Sequence, residues 1–226
     1  MNSASVSSLQ GDGSLAYRIA GAVPATPRRL LLLAHGVGGN ETNLAALAER
    51  AADDTLVVLP RAPLDLGAGQ YAWFPVSFGP QGPRPDLAAA EQGRLRLAAF
   101  IAELQAEFEV SPSRTVVAGF SQGGIMSASI GLTRPDLVAG FGVLAGRILP
   151  ELEPQLATRE ALSRIEAFIG HGRDDTKLSV DWAHRAEAWL IQLGIAHETR
   201  LYPGDHGIPP AMQDDFFAWF ERLDRH

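Results

Sequence analysis

The 226-residue sequence contains no cysteine. A chain without thiols has no disulfide framework, no cysteine nucleophile and no zinc site built on thiolates. This absence fits the reducing cytoplasm, which is where we expect the protein to reside. Acidic residues outnumber basic ones, and the net charge of −7 argues against nucleic acid or an anionic membrane as the main partner.

Long apolar runs are also lacking. The polar N-terminal segment has no apolar stretch of the kind found in secretory signals, and no run elsewhere approaches the length of a membrane span. We therefore expect neither secretion nor integral membrane association. The histidine and acidic residues show no spacing typical of a metal site, so no metal is expected.

What the sequence does contain is a large apolar fraction, 46% of its residues, beside 20% charged residues. Short apolar runs alternate with amphipathic segments, which predicts an α/β fold with a mostly parallel central sheet and helices on both faces. No repeat or linker divides the chain, so we expect a single domain over residues 1–226. A stretch rich in proline, glycine and aromatic residues at about 60–85 is expected to be an irregular loop.

The apolar runs predict strands at 15–20, 30–34, 55–59, 114–119, 138–144, 165–170 and 196–202. Amphipathic patterns predict helices at 86–109, 122–132, 180–193 and from about 209 onward. In the first of these helices, Leu87 and Leu95 are expected on the apolar face. Asn40 is expected to cap a further helix, with Glu41 in its first turn.

The segment Gly119-Phe120-Ser121-Gln122-Gly123 stands where an apolar run meets a helical pattern. A G-x-S-x-G motif in this context is typical of a nucleophile elbow. The serine then sits on a strained turn, and the glycines remove side chains that would collide with the neighbouring strand and helix. The alternative is an ordinary tight turn with a solvated serine.

Reactive residue types also follow three other predicted strands, at His35, at Asp174 and Asp175, and at His206. The carboxyl ends of parallel strands lie on one edge of a sheet, so these loops are expected to converge. A serine nucleophile needs a general base, and the base needs a carboxylate to orient it. The order Ser, Asp, His is typical of α/β-hydrolases. Proximity alone does not decide between the two aspartates.

Other notable side chains have competing interpretations. His35 and His171 each precede a glycine at a strand end, which favours a hydrogen bond to their own loop over a catalytic role. The aromatic residues of the 60–85 stretch either pin the loop to the surface or contact a substrate. Arg147 and Lys177 either face water, the reading we favour, or touch an acidic substrate.

The motifs HGVGGNE, GFSQGG, HGRDD and YPGDHG, in this order, resemble those of the phospholipase/carboxylesterase family of α/β-hydrolases. This family includes small bacterial carboxylesterases and acyl-protein thioesterases. The resemblance runs from about residue 30 to the C-terminus. It implies hydrolysis of small-molecule carboxylic esters or thioesters without a cofactor, and relatives are often homodimers.

Within this resemblance, Ser121 corresponds to the nucleophile and His206 to the base. The family acid lies four residues after the histidine of the H-G-x-x-D motif, which selects Asp175. The backbone N–H groups of Val37 and Gln122 correspond to the oxyanion donors.

The resemblance also assigns the adjacent Trp73 and Phe74 to the aromatic pair near the family's site. The sequence departs from the usual apolar-apolar-Pro pattern after the acid, where it carries Thr176, Lys177 and Leu178. We expect a serine carboxylesterase that acts through an acyl-enzyme. An acyl-thioesterase or lysophospholipase is the enzymatic alternative, and a catalytically inactive hydrolase-fold binding protein is the other.

Overall fold

The computed structural model describes residues 5–11, 13–79 and 82–223. Its strands are β1 (Tyr17–Ala20), β2 (Arg29–Ala34), β3 (Thr55–Pro60), β4 (Leu64–Gly67), β5 (Gln70–Ala72), β6 (Val76–Gly79), β7 (Gly82–Pro85), β8 (Thr115–Phe120), β9 (Gly140–Leu144), β10 (Glu166–Gly172) and β11 (Ala196–Tyr202). Seven of these strands form the central sheet in the order β1-β3-β2-β8-β9-β10-β11. Strand β1 is antiparallel to β3, and all other neighbours are parallel.

The helices are α1 (Ala45–Ala48), α2 (Leu87–Glu107), α3 (Gln122–Thr133), α4 (Arg159–Leu162), α5 (Asp181–Leu193) and α6 (Pro210–Arg222). Helices α2, α3 and α5 contribute to one hydrophobic core, and α1 and α6 contribute to another. In β2, Leu30 and Leu32 belong to the first core, whereas Leu31 and Leu33 belong to the second. This alternation places the two cores on opposite faces of the sheet, which confirms the predicted α/β class.

The 60–85 stretch is not an irregular loop, and that prediction was wrong. It forms two antiparallel hairpins, β4–β5 and β6–β7. The first hairpin turns through Gly67, Ala68 and Gly69, which all have positive φ. Each of these strands has only three or four residues, too few for a period-of-two pattern to show in the sequence. Residues 80 and 81 lie outside the described part of the chain.

The helix expected after Asn40 begins only at Ala45 and has four residues. The Asn40 side chain instead accepts hydrogen bonds from the backbone N–H and the hydroxyl of Thr42, at 2.9 and 2.7 Å. In α2, both Leu87 and Leu95 are exposed, so their expected place on the buried face was also wrong. The residues that α2 does bury include Leu97, Phe100, Ile101 and Leu104.

Glu41, expected in a first helical turn, is turned inward, and 3% of its side chain is exposed. Its carboxylate accepts hydrogen bonds from Arg61 Nε at 2.8 Å and Arg61 Nη2 at 2.7 Å, and from Arg18 Nε at 3.0 Å. These arginines precede and follow it by about twenty residues, so the ion pairs join β1 and the end of β3 to the loop after β2. The Arg61 hydrogen bonds lower the pKa of Glu41 to about 2 against the opposing effect of burial, and a backbone hydrogen bond and the single Arg18 bond contribute less.

We expect Glu41→Gln to lower the free energy of unfolding at neutral pH by about 2–3 kcal/mol, because two arginines lose their anionic partner. A lowered carboxyl pKa contributes stability above the unfolded-state value, and that contribution is lost as the pH falls toward the folded-state value. The difference between the two proteins should therefore be largest above pH about 5 and shrink toward pH about 2. Urea unfolding of both proteins at several pH values measures this difference in the free energy of unfolding.

The matched control is Asp136→Asn, which removes an ion pair with Arg134 that is largely exposed. We expect this change to cost less than about 1 kcal/mol. A Glu41→Gln penalty that stays constant between pH 7 and pH 3 would contradict the assignment.

Candidate active site

Ser121 lies at the junction between β8 and α3, with backbone angles of φ 52° and ψ −112°. A positive φ is unusual for a residue with a side chain and marks local strain. The backbone N–H of Ser121 donates to the carbonyl of Leu144 at 2.9 Å, which holds the turn against the end of β9. The sharp strand-turn-helix arrangement predicted for the motif is therefore present.

The glycines on either side of the serine are required by close backbone contacts. A Cβ atom at Gly123 would lie 2.0 Å from the carbonyl oxygen of Ala34, and one at Gly119 would lie 2.4 Å from the carbonyl carbon of Gly123. Backbone atoms at these distances leave no room for a side chain. This confirms the reason given above for the two glycines.

Three loops bring a serine, a histidine and a carboxylate together at the carboxyl edge of the sheet. His206 Nε2 lies 3.0 Å from Ser121 Oγ, and His206 Nδ1 lies 2.7 Å from Asp175 Oδ2. A carboxylate only accepts, so Nδ1 carries the proton and Nε2 faces the serine hydroxyl with its lone pair. The Asp175 side chain is fully buried, whereas 16% of the His206 side chain is exposed. The arrangement can remove the serine proton.

The two adjacent aspartates make different contacts. The second carboxylate oxygen of Asp175 accepts from the backbone N–H groups of Lys177 at 2.9 Å and Leu178 at 2.8 Å. Asp174 turns toward Gly204 instead: its N–H donates to the Gly204 carbonyl at 3.1 Å, and its carboxylate accepts from the Gly204 N–H at 3.2 Å. Asp175 thus reaches the imidazole, and Asp174 ties together the loops after β10 and β11.

Val37 and Gln122 line the same cavity as Ser121. Gln122 is the first residue of α3, where N–H groups have no acceptor within the helix and the helix dipole is positive. Val37 follows Gly36, where an added Cβ would lie 3.3 Å from Ser121 Cβ, so this loop runs directly against the serine. Both N–H groups therefore belong to segments that contact the serine.

The cavity has a volume of about 230 Å³. Its apolar wall includes Phe74, Val76, Ile125 and Leu178. Trp73 does not line it: the side chain is 1% exposed, and its indole N–H donates to the carbonyl of His35 at 3.0 Å. The structure brings Phe74 to the site as expected and places Trp73 behind it.

A model of the family described as Phospholipase/Carboxylesterase matches residues 20–218. The chain belongs to this family. Its members hydrolyse carboxylic ester or thioester bonds with a serine nucleophile, so this protein is a serine hydrolase of that type.

This phospholipase/carboxylesterase family member is similar to acyl-protein thioesterase 1 from Mycosarcoma maydis. The two sequences are 30% identical over an alignment that covers 87% of this chain and 92% of the relative's length. The crystal structure of esterase PE8 superimposes with a TM-score of 0.81, covering 95% of this chain and 99% of that chain, and the two sequences are 28% identical. The structure of a carboxylesterase from Mesorhizobium loti has a TM-score of 0.81 at 23% identity, over 97% and 99% of the two chains. These neighbours share the α/β-hydrolase fold.

The side chain of Gln122 connects the turn at Ser121 to the adjacent aromatic residues Trp73 and Phe74. Its Oε1 accepts from the Trp73 N–H at 2.8 Å, and its Nε2 donates to the Phe74 carbonyl at 2.8 Å. Sequence reasoning assigned a role only to the Gln122 backbone and missed this link. The sequence around Gln122 gives no sign of these two hydrogen bonds, because the partner residues are 49 and 48 positions away.

The two strand-end histidines of this family member bond loop backbone, as predicted. His35 Nδ1–H donates to the Gly36 carbonyl at 2.7 Å, and Nε2 accepts from the Ala62 N–H at 3.1 Å. Burial lowers the pKa of His35, which favours the neutral ring that this pattern requires. His171 Nε2–H donates to the Leu178 carbonyl at 2.8 Å and lies 3.3 Å from the Asp175 carboxylate.

Asp205, next to the candidate base, was not singled out from the sequence. Its carboxylate accepts from the Thr176 N–H and the His206 N–H, each at 2.7 Å. These bonds, that of Thr176 first, lower the pKa of Asp205. The loop bearing Asp175 and the loop bearing His206 are thus joined directly, in addition to the bond between their functional side chains.

No group of three or more histidine or acidic residues in the described part of the chain could hold a metal ion. Likewise, no helix within residues 5–11, 13–79 and 82–223 is long and apolar enough to cross a membrane.

Proposed function

We propose that this protein is a serine carboxylesterase that hydrolyses small-molecule carboxylic esters through an acyl-enzyme. Ser121 is the nucleophile, His206 the general base and Asp175 the residue that orients the histidine. The observation that supports this most is the continuous hydrogen-bonded path from the serine hydroxyl through the imidazole to a buried carboxylate. That path opens into an apolar cavity able to receive an acyl group.

In the first half of the reaction, His206 Nε2 takes the hydroxyl proton as Ser121 Oγ attacks the ester carbonyl carbon. The oxygen becomes negative and accepts hydrogen bonds from the backbone N–H groups of Val37 and Gln122. When the tetrahedral intermediate collapses, the bond to the alcohol oxygen breaks and His206 delivers the proton to it. The alcohol leaves, and the acyl group remains on Ser121.

In the second half, water attacks the acyl-enzyme and His206 accepts one of its protons. The bond to Ser121 Oγ then breaks, the proton returns to that oxygen, and the carboxylic acid leaves. Throughout, Asp175 keeps the proton on Nδ1, so that Nε2 always faces the serine. The two N–H groups that bind the other oxygen of Asp175 fix its orientation.

The shape of the site supports a short acyl group. Its volume of about 230 Å³ lies below the ~300–1,000 Å³ typical of small-molecule pockets. A second, more open groove, lined by Gly38, Gly39 and Asn43, meets the first at Gly36 and Val37. We assign the acyl group to the apolar cavity and the alcohol to this groove, where water reaches the leaving group.

A thioesterase remains the second candidate, because several curated relatives are named acyl-protein thioesterase 1. A lysophospholipase would need the cavity to take a long acyl chain, which its volume disfavours. The aligned side chains of Ser121, His206 and Asp175 weigh against an inactive binding protein.

The test begins with a fluorophosphonate probe, which reacts with an activated serine. We expect one probe per chain, with mass spectrometry of the digested protein placing it on Ser121. A folded protein that does not react would refute the proposed function. Matched ester and thioester substrates from acetyl to palmitoyl then rank the candidates by kcat/KM. We expect short esters to lead, and a higher value for the thioester at every chain length would favour the thioesterase.

A further inference from the structure

The loop that follows β2 and carries Val37 is bound to the hairpin β4–β5. The Gly38 N–H donates to the Tyr71 carbonyl at 2.9 Å, and the Tyr71 N–H donates to the Gly39 carbonyl at 2.8 Å. The Val37 N–H itself donates to no acceptor in the described part of the chain. The loop is therefore fixed around one donor that stays available to a ligand.

The direction of the Val37 N–H is set by the carbonyl of Gly36, because the two belong to one planar trans peptide and point in opposite directions. This carbonyl accepts from His35 Nδ1–H at 2.7 Å and from the Gly39 N–H at 3.1 Å. The carbonyl of His35, one peptide earlier, accepts from the indole N–H of Trp73 at 3.0 Å. Trp73 thus holds the residue whose ring orients the peptide of the donor.

The second proposed oxyanion donor, Gln122, is bound to the same tryptophan. Gln122 is 2% exposed, and its side chain accepts from the Trp73 N–H and donates to the Phe74 carbonyl, each at 2.8 Å. Helix α2 packs against this segment, since an added Cβ at Gly93 would lie 2.9 Å from the Trp73 carbonyl oxygen. The dipeptide Trp73–Phe74 therefore bonds the segments of both donors.

An oxyanion hole is effective only if its donors already stand at the right distance and angle when the carbonyl oxygen becomes negative. Val37 and Gln122 belong to segments far apart in the sequence, so contacts must set their relative position. The packing of Gly36 against Ser121 brings the two segments together, but hydrogen bonds are directional and orient the peptides. Trp73 makes such bonds on both sides.

We propose that Trp73 is a positioning residue for the oxyanion hole. Its indole N–H orients the loop that bears Val37, and its backbone N–H, bound by the Gln122 side chain, keeps that loop in place relative to the second donor. This inference rests on the proposed function, because it assumes that an oxyanion forms at Ser121. It gives the two aromatic residues different roles: Phe74 lines the acyl cavity, whereas Trp73 acts through the oxyanion donors.

The kinetic test uses Trp73→Phe, which removes the indole N–H and keeps an aromatic ring. We expect kcat for 4-nitrophenyl butanoate to fall about tenfold, less than the roughly 10²–10³ that follows the loss of a whole oxyanion donor. KM should change less than about twofold, because the donors bind the transition state more strongly than the ground state. Both constants are measured at equal folded fraction, judged by circular dichroism.

A thionoester of the same acid and alcohol distinguishes positioning from a loss of structure. Its C=S sulfur is larger than oxygen and a weaker hydrogen-bond acceptor, so its hydrolysis depends less on the two N–H donors. The ratio of kcat for the ester to kcat for the thionoester should therefore fall about tenfold in Trp73→Phe. An equal loss on both substrates would overturn the inference, since a merely structural role predicts that result.

Gln122→Met removes the carboxamide at similar side-chain length and keeps the backbone donor. It should lower the same ratio. The double variant with Trp73→Phe should lose less than the product of the two single losses, because both changes act through one segment. If Trp73→Phe fails to fold, the ratio measured for Gln122→Met decides alone, and an unchanged ratio would then overturn the inference.

Trp219→Phe is the matched control. Trp219 is also 1% exposed, but its indole N–H bonds no group in the part of the chain that the structure describes. We expect both kcat values and their ratio to stay at the wild-type level. A ratio that fell in this variant as well would report a general loosening of the core and would overturn the inference.

Trp182→Phe is a second control, placed beside the cavity. Arg147 lines the cavity, and its guanidinium carbon lies 4.5 Å from the centre of the Trp182 ring. Arg147 is 7% exposed, so the expectation that it faces water was wrong, whereas Lys177 is exposed. The variant keeps a ring beside the guanidinium and changes neither oxyanion segment, so the ratio should again stay at the wild-type value.

Hydrogen exchange separates this inference from the proposed function, because it needs no catalysis. In Ser121→Ala, the Gly38 N–H is protected by its bond to Tyr71. We expect its exchange to become about tenfold faster when Trp73→Phe is added and to stay unchanged with Trp219→Phe. Faster exchange in a protein that hydrolyses no ester would support the anchoring of the loop by Trp73 and refute the esterase. Ester hydrolysis at Ser121 with unchanged exchange and an unchanged ratio would overturn the inference alone.

Discussion

Replacing Ser121 with alanine is expected to lower kcat for ester hydrolysis by about 10⁶, because it removes the atom that we propose attacks the carbonyl. The sequence has no cysteine to substitute for it. The change removes only a hydroxyl whose hydrogen bond goes to His206, so the fold should be retained. Kinetics on a short ester, with thermal unfolding followed in parallel, measures both.

The variant should also lose its reaction with the fluorophosphonate. A preparation free of host esterases that kept more than a few per cent of the wild-type kcat would disprove the role of Ser121. A large loss of melting temperature would instead show that the hydroxyl supports the turn.

Asp175→Asn is expected to lower kcat by about 10⁴ while the protein stays folded. An amide can present an N–H to the imidazole, which favours the tautomer whose proton points at Ser121 rather than at residue 175. The backbone N–H groups of Lys177 and Leu178 would still find an oxygen acceptor, so the loop should hold its shape.

The adjacent Asp174→Asn is the control, since it changes the same charge one residue away. Its carboxylate bonds Gly204 and does not reach the imidazole, so we expect little change in kcat and a stability cost of about 1 kcal/mol or less. Both variants are compared at equal folded fraction, judged by circular dichroism. If Asp174→Asn proved the more damaging to kcat, the acid would have to be reassigned.

The features that the sequence predicted well depend on local patterns. The continuous run at Leu30–Leu33 could be assigned to a strand covered on both faces, and β2 is buried in that way. The glycines around Ser121 could be interpreted from the turn alone. The convergence of Ser121, Asp175 and His206 followed from a general property of parallel sheets, that strand ends share an edge.

The features that the sequence did not predict depend on contacts between distant segments. Glu41 looks like a first-turn residue because it follows a capping asparagine, yet two arginines about twenty positions away draw it inward. Trp73 and Phe74 are adjacent and chemically alike. Only packing decides that one is enclosed behind the site and the other faces the cavity.

The strained backbone of Ser121 has a consequence for how this protein can change over time. A residue with a side chain at such angles costs about 1–3 kcal/mol relative to a relaxed backbone, and glycine adopts the same angles with little cost. A glycine here would therefore make the chain more robust to heat and mutation, but it would remove the proposed nucleophile. Selection for robustness alone would lead this lineage away from the strained serine. A serine at these angles therefore provides the proposed nucleophile at a cost in the stability of the fold.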